Sequence, residues 1–565
     1  MRSELTEPLK KRIAILGGST TSEIRKTLDL FLLAKGIDAE FYESEYGRFY
    51  EDALFGNDGL SKFKPNLIFV HTTFRNIDAF PSALGTHNEF EQHLTHEIQK
   101  FVQCWEKLAD TFGCPVIQNN FDLPSLRILG NLDAYSYGGR VHFVNSLNQR
   151  FAEEARRLDY LYLHDIQFLS AQIGLESWHD EGAWHAYKFA LSPACVPRLA
   201  HSVTSLIAAL CGMSGKCLVL DLDNTCWGGV VGDVGADKIE IGHETPVGEA
   251  HLALQNYSRD LKSRGIVLAV ASKNEEAAAI KGLEHPEGTI KPADISCLKA
   301  NWNPKDENLR EIAAELNIGI DSLVFVDDSA AERELVGSQV PEVEVLNVGA
   351  DVTRYPAIID QSGCFETVAV SAEDAERSRY YEKNAERQEE SSRFSDYGEY
   401  LSSLEMAAEI RPFEPLYLDR IFQLTNKTNQ FNLTNKRYSR EELESCVDSS
   451  SYLHLYGKLA DKFGDNGLVS VILGTVRGAE LHLELWLMSC RVLKRDMEKA
   501  MLDQLVAGAA DRGITEIFGY YKESPKNAMV RGHYPGLGFD KYGDDSFKFS
   551  IPYDYQQLNK HIKVK

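Results

Sequence analysis

Residues 218–229 read LVLDLDNTCWGG. The apolar run delivers Asp221 and Asp223 at its end, and the two-residue period of a strand turns Leu222 the other way. In a parallel sheet, the carboxyl ends of the strands border the crevice that binds ligand. Two carboxylates placed there can share a divalent cation while Asp221 attacks phosphorus and Asp223 trades a proton with the leaving group. Mg²⁺ is the natural ion, because it prefers oxygen ligands and offsets the repulsion between carboxylates and phosphate.

Two later apolar runs end in matching chemistry. The run 266–271 leads to Ser272, Lys273 and Asn274, which suit a phosphoryl oxygen, and the run 323–326 leads to Asp327 and Asp328, further carboxylates for the metal. Between them, NWNPKDENL (301–309) sets Lys305 just after a proline, at an expected helix start. A fixed cation there would stabilise the charge that develops in phosphoryl transfer.

The block 216–348 alternates strand and helix, and so do the first 200 residues, with strands expected at 13–16, 67–71 and 116–117. Both read as α/β units with mostly parallel sheets. Residues 371–404 are highly charged and read as a solvated helical connector. Beyond them, antiparallel strands at 467–473 and 481–489 and a long helix after Arg491 predict an α+β domain. The expected division is 1–205, 206–365, 366–404 and 405–565.

Sixty basic against eighty-four acidic residues give a net charge of −24. That balance argues against a general nucleic-acid binder, which needs a basic face. The ten cysteines form no C-x-x-C pair and read as reduced thiols. The N-terminal stretch lacks the apolar core of a signal peptide, and no apolar stretch is long enough to span a bilayer. A cytoplasmic protein without membrane contact is expected.

The four motifs Asp221/Asp223/Thr225, Ser272, Lys305 and Asp327/Asp328 resemble those of the haloacid-dehalogenase superfamily. That resemblance implies an aspartyl-phosphate mechanism, with Asp221 as nucleophile, Asp223 as general acid/base and Thr225, Ser272, Lys273 and Asn274 around the substrate. The gaps between the motifs leave no clear room for a large cap domain. The longer strings DLDNTCWGGVVGDVG, ASKNEE, NWNPKDENL, VFVDDSAAERE and QLTNKTNQFNLTNKRY are similar to the FkbH-like branch. This resemblance implies removal of phosphate from 1,3-bisphosphoglycerate and loading of the glyceryl group as a thioester on the phosphopantetheine of an acyl-carrier protein, beside polyketide or polysaccharide pathways. A phosphohydrolase of a small phosphate ester and a non-catalytic partner of a biosynthetic complex are the alternatives.

The C-terminal part resembles an acyltransferase of the GNAT type. In its RVLKRDMEKA loop (491–500), Lys494 and Asp496 stand where that fold favours glycine, so acetyl-CoA is disfavoured and a carrier-borne arm remains compatible. Cys490, at the end of LHLELWLMSC, is a candidate acyl acceptor with His533 as its base; a buried structural thiol is the other reading. Cys226 reads as a small buried hydrophobe. Lys427, Lys436, Arg437 and Arg440, and separately Arg491, Lys494 and Arg495, are candidate docking clusters for an acidic carrier. The N-terminal domain resembles an SGNH hydrolase through Gly17, Gly18 and Ser19 and through Asn119 and Asn120. Asp180 and His185 lack the spacing that would give Ser19 a base, so a scaffold is expected there.

Overall fold

Ile13, Ala14, Ile15 and Leu16 are fully buried, as a strand flanked on both faces by helices must be. In the computed structural model, which describes residues 8–370, 387, 390, 393–394, 396–428, 431–489, 492–524 and 527–565, they lie in strand β1 (Leu9–Gly17). With β2 (Ile37–Glu43), β3 (Leu67–His71), β4 (Val116–Asn119) and β5 (Leu161–His164) it forms a five-stranded parallel sheet in the order β2-β1-β3-β4-β5. The helix His87–Phe112 shows why the layers close. Phe90, Leu94, Phe101, Trp105 and Leu108 fall on one face and are buried, Thr86 accepts the Glu89 amide at its start, and Gly113 ends it at φ +57°.

The chain divides after Ala208 into two compact units, three residues beyond the expected boundary. The second unit contains two sheets. The first is parallel, with β6 (Cys217–Leu220), β7 (Val267–Ser272), β8 (Cys297–Ala300), β9 (Leu323–Val326) and β10 (Glu344–Val345) in the order β10-β9-β6-β7-β8. This order sets the carboxyl ends of β9, β6, β7 and β8 side by side. The stretch after β6 holds only short turns of helix (Val231–Val234 and Ala236–Lys238) before the long helix Pro246–Ser263, so no domain-sized cap follows Asp223.

The second sheet contains β11 (Met406–Arg411), β12 (Tyr452–Asp461), β13 (Gly464–Arg477), β14 (Glu480–Met488), β15 (Glu516–Tyr520), β16 (Asp540–Lys541), β17 (Ser546–Ser550) and β18 (Ile562–Val564). Their order is β16-β17-β15-β14-β13-β12-β11-β18. Strands β12 to β14 are antiparallel, whereas β14 and β15 are parallel and joined by the crossover helix Met497–Ala510, the α+β arrangement expected for a GNAT-like fold. The segment read as a charged connector falls mostly outside the described residues; its described end is the helix Tyr397–Ser403. Among the described residues, no helix is long and apolar enough to cross a membrane.

Candidate active site of the parallel-sheet core

Four neighbouring strand ends meet at one point. Asp221 follows β6, Ser272 ends β7, Lys305 opens the helix Lys305–Glu315 after β8, and Asp327 follows β9. The Lys305 ammonium sits 2.6 Å from Asp221 Oδ1 and 2.5 Å from Asp327 Oδ2. Oxygens of Asp221, Asp327 and Asp328 lie within 4.8 Å of one another. That all-oxygen set fits Mg²⁺, which takes one or two carboxylates and keeps waters. Burial pushes the Asp221 carboxyl up, Lys305 pulls it down, and the Asp327 charge adds to the rise. For Lys305, burial works against the charge, but Asp221 and Asp327 outweigh it and hold the ammonium protonated. A second acidic group, Asp78, His96 and Glu97, already holds a cation: Lys100 lies 2.9 Å from Asp78 and 2.7 Å from Glu97.

Asp223 lies outside the metal-ligand cluster. Its Oδ1 accepts from Trp227 Nε1 (2.9 Å) and the Val231 amide (3.0 Å), and its Oδ2 from Asn274 Nδ2 (2.9 Å). The side chain expected to share the metal is thus turned toward the loop after β6. Thr225 meets Asp328 instead of open space: its hydroxyl oxygen accepts the Asp328 amide at 3.1 Å. Ser272 is buried beside Asp221 and accepts from Asn274 Nδ2 at 3.1 Å. Lys273 is half-exposed and pairs with Glu332 at 2.6 Å.

The sequence reading missed the residues that hold this loop. His251 and Gln255, one turn apart on the helix Pro246–Ser263, are both buried. His251 Nδ1 donates to the Thr225 carbonyl at 2.8 Å and Gln255 Nε2 to the Cys226 carbonyl at 2.9 Å. Gln255 Oε1 also accepts the Thr289 and Ile290 amides, so one side chain ties two loops together. Arg333 spans the carbonyls of Asp327 and Asp328 at 2.6 and 2.8 Å. Only the i, i+4 spacing of His251 and Gln255 hinted at any of this. Cys226 is 1% exposed, its thiol is raised by burial, and its Sγ donates to the Asp221 carbonyl at 3.2 Å. It is the small buried side chain expected.

In the C-terminal sheet, Cys490 and Arg491 lie outside the described residues. His533 is packed edge-on against Trp486 (ring centroids 4.5 Å apart) and Phe431 (5.0 Å), and burial lowers its pKa to about 3. Lys494 and Asp496 adopt φ of +62° and +60°, the left-handed region where glycine is at ease. Two members of the expected basic clusters, Arg495 and Arg437, need correction, and the Lys427 side chain lies outside the described residues. Arg495 is 7% exposed and bound to Asp461 at 3.0 Å, with Arg387 on the same carboxylate at 2.9 Å. Arg437 donates to the carbonyls of Thr425 and Thr428, Arg440 pairs with Asp419 at 2.7 Å, and Lys436 pairs with Glu484. Arg495 and Arg437 are thus held by inward-facing acceptors, whereas Lys436, Arg440 and Lys494 stay at the surface.

In the first unit, Asp180 caps the helix Glu181–Tyr187 and His185 is exposed near Glu181, so neither serves Ser19.

The model of the FkbH N-terminal domain matches residues 12–208. A solved structure of the N-terminal part of protein BF1531 from Bacteroides fragilis, containing a phosphatase domain complexed with Mg, is 29% identical. It covers 64% of this chain and 95% of its own, with a TM-score of 0.60. The ribosomal-protein-S18-alanine N-acetyltransferase of Escherichia coli is 15% identical, covering 27% of this chain and 99% of its own at a TM-score of 0.21. The spermidine N-acetyltransferase of Vibrio cholerae in complex with CoA and spermine is 10% identical, covering 26% and 96% at 0.21. No curated protein matches the chain. Residues 12–208 thus match the FkbH N-terminal domain, and the chain is similar to a Mg-bound phosphatase-domain structure over 64% of its length.

Proposed function

We propose that this chain is a Mg²⁺-dependent FkbH-like transferase that removes phosphate from a phosphorylated glyceryl donor, 1,3-bisphosphoglycerate, and passes the glyceryl group as a thioester to the phosphopantetheine of an acyl-carrier protein. The observation that carries the phosphate chemistry is the meeting of Asp221, Lys305, Asp327 and Asp328 at adjacent strand ends. Asp221, Asp327 and Asp328 would hold the metal, which when bound neutralises charge on the phosphoryl oxygens.

One Asp221 oxygen attacks phosphorus, and the bond to the ester oxygen breaks as that oxygen takes a proton from Asp223. Water then gives a proton to Asp223 and attacks the phosphoaspartate, releasing phosphate and restoring Asp221. Lys305 stays on Asp221 and Asp327 throughout and balances the charge that builds up. Asn274 and Trp227 hold Asp223 until a leaving group displaces one of those contacts. The absence of a domain-sized cap after Asp223 suits a donor or carrier too large for a closed chamber. The thioester step is assigned to the GNAT-like fold. The Cys490 sulfur attacks the C1 acyl carbon of the donor, the C1 phosphate leaves with the electron pair of the broken C–O bond, and His533, kept neutral by burial, takes the thiol proton. The carrier thiol then displaces Cys490, so the phosphate removed through Asp221 is the C3 ester.

Phosphate release from 1,3-bisphosphoglycerate tests the first half. Asp221→Asn and removal of metal by EDTA should each abolish it in a folded protein. Turnover within about twofold of the untreated enzyme would contradict an aspartyl-phosphate route, which asks several kcal/mol of these groups.

A further inference from the structure

In the order β2-β1-β3-β4-β5 the chain reverses its direction of travel between β1 and β3, and open parallel sheets bind ligands at such a switch point. A hydrogen-bonded chain crosses the strand ends toward that point. The Ser202 hydroxyl donates to His164 Nε2 at 2.9 Å, at the end of β5. His164 Nδ1 donates to Asn119 Oδ1 at 2.9 Å, on β4. Asn119 Nδ2 donates to His71 Nδ1 at 2.7 Å, at the end of β3, and its orientation is set by the Thr72 carbonyl on the same nitrogen. Burial keeps both imidazoles neutral. His71 Nδ1 therefore accepts, and the ring proton sits on Nε2, where it has no partner.

The two ring nitrogens point apart. On the side of β3 away from β4 lies β1, whose last residue, Gly17, pairs with His71. Two residues past the end of β1 is Ser19, 3% exposed, whose hydroxyl also has no partner. Its loop is pinned on both sides. Gly18 donates its amide to the His71 carbonyl at 2.9 Å and accepts from Asn76 Nδ2 at 2.8 Å, while the Thr20 amide donates to the Lys188 carbonyl at 3.0 Å. A side chain on Gly18 would collide with Asn76. Directly after this loop the helix Ser22–Ala34 starts without a side-chain cap, because Thr21 gives its hydroxyl to Glu43 at 2.8 Å. Glu43 is itself paired with Arg25 at 2.9 Å.

Two buried donors without a partner, one ending β3 and one in a rigidly held loop, are costly unless something accepts from them. We propose that the ends of β1 and β3 form a second ligand site, in which a small oxyanion, carboxylate or phosphate, accepts from His71 Nε2 and Ser19 Oγ at the start of the helix Ser22–Ala34. It is a binding site and not a hydrolytic one, since a His71 that keeps its proton on Nε2 has no lone pair there to activate Ser19. The site is independent of the chemistry assigned to Asp221.

Ring-¹⁵N correlation spectra of the full-length protein, labelled at histidine, read this site alone. The expected result is an Nε2–H tautomer for His71 and a saturable shift of its ring signals with inorganic phosphate or with acetate. The anion that saturates at lower concentration identifies the ligand class. Ser19→Ala should weaken that binding about tenfold, one hydrogen bond's worth. An Nδ1–H tautomer, or His71 signals that neither anion moves at tens of millimolar, would overturn the proposal and leave a bridging water.

Discussion

The Lys305 ammonium lies 2.6 Å from Asp221 Oδ1 although 84 residues separate them, and both side chains are less than a tenth exposed. Three charges, counting Asp327, can be buried together here only because each faces an opposite one.

Lys305→Met should therefore do more than slow the reaction. It leaves two buried carboxylates without a counter-charge and should lower the stability of the metal-free protein by about 3–5 kcal/mol. Mg²⁺ should restore part of that loss by taking the ammonium's electrostatic place. Urea unfolding with and without Mg²⁺ measures both effects. A midpoint unchanged by the substitution, or one indifferent to Mg²⁺, contradicts the arrangement.

Asp223 is assigned the proton of the leaving group, so its importance should follow how badly that group needs one. Asp223→Asn should cost on the order of 10²–10⁴-fold with an alkyl phosphate and much less with p-nitrophenyl phosphate, whose phenolate leaves readily. Steady-state kcat/KM for the two esters makes the comparison. Equal losses on both would assign Asp223 to binding and not to proton transfer.

His251 acts through the Thr225 carbonyl, and Thr225 in turn accepts the Asp328 amide. His251→Leu removes the donor and should lower kcat about tenfold with little change in KM, whereas His251→Asn, which can donate in the same place, should recover most of it. A loss that Asn does not rescue would make the role one of packing alone.

The buried imidazoles of the first unit set a pH limit on its stability. Burial lowers His71 to about 3 and His164 to about 4, against 6.5 for a free imidazole. Above 6.5 neither state is protonated and the contribution is complete. As the pH falls below 6.5 the unfolded chain binds protons that the folded one refuses, and stability drains away down to the folded values. At pH 5 the cost is roughly 2 kcal/mol per histidine. Amide exchange of β3, β4 and β5 at pH 7.5 and pH 5, corrected for intrinsic rates, should show it. Equal protection at the two values would mean that the rings are not held neutral.

The parallel cores were legible because their central strands are unbroken apolar runs: β3, β6 and β9 lie where the sequence put them. The edge strand β2, IDAEFYE, mixes charge into its pattern and gave no such signal, and β8, CLKA, is too short to stand out. The site motifs could be read because each terminates an apolar run. What holds them could not. His251 and Gln255 look like ordinary helix residues, and the His164–Asn119–His71 chain joins strand ends 45 and 48 residues apart in sequence. Charge clusters misled for a related reason: Arg437 and Arg495 carry the same letters whether they face water or buried acceptors.

The most direct test of the glyceryl-transfer account is intact-mass analysis of the enzyme and of a cognate carrier, apo and holo, after incubation with 1,3-bisphosphoglycerate and Mg²⁺. The account predicts one added glyceryl unit on the holo carrier and none on the apo form, with both the enzyme-bound species and carrier loading lost in Cys490→Ala but kept in Cys226→Ala. Phosphate released with no adduct on either protein would contradict it and leave a phosphohydrolase.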